Sequence, residues 1–102
     1  MDIKDTRKEL YRLLKIMYKL SEENKYSEYL KIKNVYDHLV RQIEDKKENF
    51  KWDSARNKIV NVFFFKNSRT KKTSEEERNK WINRSKKEFL ELMEELKVYV
   101  NQ

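Results

Sequence analysis

Asp53-Ser54-Ala55-Arg56-Asn57-Lys58-Ile59-Val60-Asn61-Val62-Phe63-Phe64-Phe65-Lys66-Asn67 has two readings, and the choice between them decides the fold. At a helical period, Ala55, Ile59, Val62, Phe63 and Lys66 fall on one face, and Asp53 can cap a helix over about 54–67. Val60, Phe64 and Phe65 then extend apolar surface nearly all round, as in a helix buried among others. As a strand, Val60 to Phe65 has strong β propensity. A strand needs a partner, and neither a clear partner segment nor a turn dipeptide is present. Residues 58–65 therefore read better as helix, with strand as the alternative.

The flanking segments agree with helix. Ile3, Leu10, Leu13, Leu14, Met17 and Leu20 recur at helical spacing, which predicts a first helix over 3–22, capped by Asp2. Asn24 suits the left-handed position after it, a place that glycine usually takes. Tyr29, Ile32, Tyr36, Leu39 and Ile43 make a second stripe, widened by Leu30, Val35 and Val40. It predicts a helix over 27–46, capped by Ser27 and closed by the polar run Lys46 to Asn49. Phe50 and Trp52 then fall in a connection that folds its rings back onto the core. On the other side, Thr73 with Glu76 or Ser74 with Glu77 forms a capping box. The stripe Ile82, Ser85, Phe89, Leu92, Met93, Leu96 and Val100 predicts a helix over 74–99. Four amphipathic helices with short connections pack as an antiparallel bundle, one all-α domain over 1–102, with Phe63 and Phe64 near its centre.

Composition narrows the chemistry. The 102 residues include no glycine, proline or cysteine. A/T-rich codon usage thins out Gly and Pro as well as helical structure does, so the fold claim rests on periodicity. The absence still excludes disulfides, thiol chemistry and glycine-rich phosphate loops. Metal sites want clustered His, Cys or carboxylate, and His38 is the only histidine. The serines sit mostly where caps and turns are expected, and carboxylate pairs such as Glu91 and Glu95 read as a solvated face. No enzyme, cofactor or metal is expected. No apolar run reaches the roughly 18–20 residues of a membrane span, and no secretory signal is visible, so a cytoplasmic protein is expected.

Binding remains. Net charge is +7, and residues 51–72 carry seven Lys/Arg against the single acid Asp53. Lys66, Arg69, Lys71 and Lys72 share one loop, and Arg84 continues the basic character on the fourth helix. Such a patch fits phosphate or an acidic partner. Trp52 and Trp81 are candidate anchors for a protein partner. Contacts are expected at Lys66, Arg69, Lys71, Lys72, Trp81 and Arg84.

Lys25-Tyr26-Ser27, Leu30, Val35-Tyr36, Leu39 and Gln42 resemble the second helix of immunity proteins for pediocin-like bacteriocins, most nearly the enterocin A type. Leu10-Tyr11 or Met17-Tyr18 ahead of a Ser-containing turn resembles their first helix. Lys58-Ile59-Val60-Asn61 and the aromatics after it resemble their third. The resemblance spans residues 10 to about 75. It implies an antiparallel four-helix bundle and a non-enzymatic cytosolic protein that protects its producer. The implied partner is the sugar-phosphotransferase permease that bacteriocin uses as receptor, with specificity in the C-terminal half. The alternative is a small phage or mobile-element regulator that binds nucleic acid or a host protein.

Overall fold

Helix, not strand, is the state of residues 58–65. In the computed structural model, which describes residues 2–67 and 74–102, they lie inside the third of four helices. These are α1 (Ile3–Glu22), α2 (Tyr26–Val40), α3 (Lys46–Asn67) and α4 (Glu75–Val100). No strand occurs among the described residues.

Contacts between helix ends fix the topology. The start of α1 meets the start of α3 through Arg7 and Glu48, and their ends meet through Ser21 and Lys66. Tyr26, at the start of α2, packs on Phe63, near the end of α3. Lys51 pairs with Glu95, and Lys58 with Glu88. So α1 and α3 run one way and α2 and α4 the other, an antiparallel four-helix bundle. α1 and α3 each touch all three other helices, while α2 and α4 do not touch among the described residues. The cross-section is therefore a rhombus with α1 and α3 across its short diagonal. This explains why α3 carries apolar residues nearly all round. The molecule measures 47 × 25 × 20 Å.

The core follows the expected stripes. Leu10, Leu14 and Met17 of α1 meet Tyr29 and Tyr36 of α2, Trp52, Ala55 and Ile59 of α3, and Phe89 and Leu96 of α4. Tyr18 of α1 stacks on Phe89 with ring centres 4.8 Å apart.

The helix boundaries differ from expectation between α2 and α3. α2 stops at Val40 and α3 begins at Lys46, not at residue 54. Three polar side chains produce this break. Asp45 accepts from the Glu48 N–H at 2.9 Å through Oδ1, an N-cap hydrogen bond. Asn49 donates its amide to the carbonyls of Val40 (2.8 Å) and Ile43 (3.1 Å), tying the first turn of α3 to the end of α2 and the connection after it. Glu48 turns inward and is paired, as described below. The run Lys46 to Asn49 is thus the first turn of α3 rather than the end of α2. Asp53, in the helix interior, pairs with Arg56 at 3.0 Å instead of capping.

Other caps divide. Asn24 takes φ 56°, and Lys25 N–H donates to Leu20 O at 2.9 Å while Asn24 N–H donates to Ser21 O at 3.3 Å. That is a Schellman closure with asparagine in the glycine place. Ser74 Oγ accepts from Glu77 N–H at 3.1 Å and caps α4. Asp2 holds the N-cap position of α1 without a side-chain cap hydrogen bond, and its carbonyl accepts from Thr6 N–H and Oγ1–H instead. Ser27 lies inside α2, whose N-cap is Lys25.

Candidate functional site: an aromatic end of the bundle

Phe63, Phe64 and Phe65 step round the last turns of α3 at about 100° per residue, so they face three directions. Phe63 points inward, 2% exposed, against Tyr29 (ring centres 4.8 Å) and Tyr26 (5.2 Å). Phe65 points toward α4 and packs on Trp81 at 5.4 Å. Phe64 points outward between them, 66% exposed, and touches Phe65 at 5.6 Å. Tyr26 and Trp81 are themselves exposed. Aromatic rings thus run from α2 across α3 to α4 around one end of the bundle.

A groove lies on either side of the Phe64 ridge. One, of about 540 Å³, is lined by Asn24, Tyr26, Val60, Phe63, Phe64 and Asn67. The other, of about 410 Å³, lies between α3 and α4 and is lined by Lys58, Asn61, Phe65, Trp81, Arg84, Ser85 and Glu88. The expectation that both Phe63 and Phe64 sit at the core centre is therefore corrected. The apolar surface of α3 exceeds what its three neighbours cover: Phe64 and, near the other end of the helix, Phe50 are left exposed.

Of the expected contact residues, the structure brings Trp81 and Arg84 together on the second groove. Lys66 is engaged elsewhere. Its Nζ donates to Ser21 O at 2.6 Å and to Glu22 O at 3.2 Å, closing the C-terminus of α1. Burial and nearby Lys86 hold its ammonium below the usual lysine range, against a smaller opposing effect of Glu22. Arg69, Lys71 and Lys72 lie outside the described residues. Arg84 is 78% exposed and donates through Nε to Glu88 at 2.9 Å.

Trp52 is not an exposed anchor. It lies within α3, wholly buried, and its indole N–H donates to Glu48 Oε2 at 3.0 Å. Phe50, expected to fold back beside it, is exposed instead. Glu48 also accepts both Nε–H and Nη2–H of Arg7, at 2.9 and 2.8 Å. Burial pushes the Glu48 carboxyl up, but Arg7 and the Trp52 indole outweigh it and hold the group below the usual carboxylate range. This fully occupied cluster ties α1 to α3 at the end of the bundle opposite the aromatic one. His38 is exposed on α2. Among the described residues, no group of three or more His, Asp or Glu is placed to hold a metal ion, and no helix is long and apolar enough to cross a membrane.

The exposed ridge at Phe64 escaped sequence reading because an apolar residue in a rich stripe looks like core. The signal was present in the run of three phenylalanines, since no helix in a four-helix bundle can bury every direction at once. No protein-family model, curated protein or solved structure matches this chain.

Proposed function

We propose that this protein is a non-enzymatic binding protein that recognises a protein partner through its aromatic end. The exposure of Phe64, between two grooves and beside Tyr26 and Trp81, carries this reading. Exposed apolar patches and large aromatic side chains are concentrated at protein contacts. The resemblance of residues 10 to about 75 to immunity proteins for pediocin-like bacteriocins gives the proposal its specific form. The protein protects its producer from inside the cell by engaging the sugar-phosphotransferase permease once bacteriocin is bound to it.

One placement favours a protein partner over the nucleic-acid alternative: Lys66 spends its ammonium on α1 carbonyls. The test is expression in a sensitive low-GC Gram-positive host challenged with a panel of pediocin-like bacteriocins. Protection against at least one is expected, and unchanged killing across the panel overturns the immunity reading. Salt-dependent binding to random duplex DNA would instead support the regulator.

A further inference from the structure

We infer that the groove between α3 and α4 takes a carboxylate carried beside an aromatic residue, as in an acidic-aromatic peptide segment. This deepens the proposal above and rests on the aromatic end being a partner surface. Three rungs join α3 to α4 at heptad spacing: Lys51 with Glu95, Lys58 with Glu88, and Phe65 with Trp81. The first two are ion pairs and the third is aromatic. The groove lies where the seam changes from charge to ring, so one ligand can meet both.

The cationic side of the groove exceeds its anionic side. Lys58 Nζ lies 2.5 Å from Glu88 and Arg84 Nε lies 2.9 Å from it, two cations on one carboxylate. Lys58 and Arg84 hold the Glu88 carboxyl below the usual carboxylate range. Glu88 thus shows that a carboxylate fits here, and it also competes for the same donors. Arg84 engages Glu88 through Nε alone among the described residues. The outer edge of its guanidinium is the part suited to a second, bidentate carboxylate. Trp81, 40% exposed and tilted 45° on Phe65, offers a surface for the partner's ring.

The test is an NMR titration of the whole protein with a short peptide of alternating Asp and Phe. The control peptide has Asn for every Asp. Selective shifts of the Trp81 indole N–H and the Arg84 side-chain N–H are expected, weakening with salt. Trp81→Ala and Arg84→Ala should each weaken binding about tenfold, with unchanged circular dichroism because both side chains are exposed. Glu88→Gln should tighten binding several-fold by removing the internal competitor. Equal binding of the Asn peptide, no shift at Trp81 and Arg84 even in Glu88→Gln, or a response only to duplex DNA overturns the inference. Bacteriocin protection without a peptide response overturns this inference while leaving the immunity reading intact. A peptide response without protection does the reverse.

Discussion

Glu48 shows how one side chain decides more than its type suggests. A glutamate in a Lys-rich polar run reads as solvent-facing, yet this one is 2% exposed. Its carboxylate accepts three hydrogen bonds, two from Arg7 and one from Trp52. A buried carboxylate without such partners would cost several kcal/mol. Its folded carboxyl is held below its unfolded value, so its stabilising contribution is complete above the ordinary carboxylate range. That contribution fades as pH falls through the lowered folded value. Glu48→Gln should lower stability by about 2–3 kcal/mol at neutral pH and flatten the acid limb of the stability curve. Chemical denaturation between pH 3 and 7 measures both effects. No periodicity could have announced this cluster, because Arg7 and Glu48 come from different helices.

At the scale of the helix, stripes were legible and junctions less so. α1 and α4 fall where their spacing puts them, within a residue, because long amphipathic patterns outweigh local ambiguity. The α2–α3 junction was misplaced because Asp45 and Asp53 are equally good caps in isolation. Asp45-Lys46-Lys47-Glu48 does carry the cap spacing, and the Asn49 amide closing α2 makes it the one used. Asp45→Ala should therefore cost about 1 kcal/mol. Asp53→Ala, losing only a partly exposed pair with Arg56, should cost less than about 0.5 kcal/mol. Urea melts of the two variants compare them directly. Adjacent residues on α3 give a sharper contrast. Phe63→Ala should cost about 3–5 kcal/mol, whereas Phe64→Ala should change stability by no more than about 0.5 kcal/mol. Equal losses would mean that Phe64 is buried in solution.

Across the whole molecule, the buried ion-pair cluster of Arg7, Glu48 and Trp52 and the aromatic contacts that link α2, α3 and α4 lie at opposite ends. The all-helical architecture followed from four periodic stripes. The candidate site was only half legible: Trp81 and Arg84 were expected as contacts and share a groove, while Phe64 was expected in the core and Tyr26 and Lys58 were not among the expected contacts. Sequence shows where charge and aromatic residues are abundant, but only packing shows which remain uncovered. Lys66 makes the same point in reverse, as a lysine in a basic run whose ammonium closes a helix.

The most direct test of the aromatic end as the working surface compares host survival under bacteriocin challenge for two chains. One is the wild type and the other carries Phe64→Ala and Trp81→Ala, with folding of both checked by circular dichroism. The prediction is protection by the wild type and its loss in the folded double variant. Equal protection by both chains, or by neither, would contradict it.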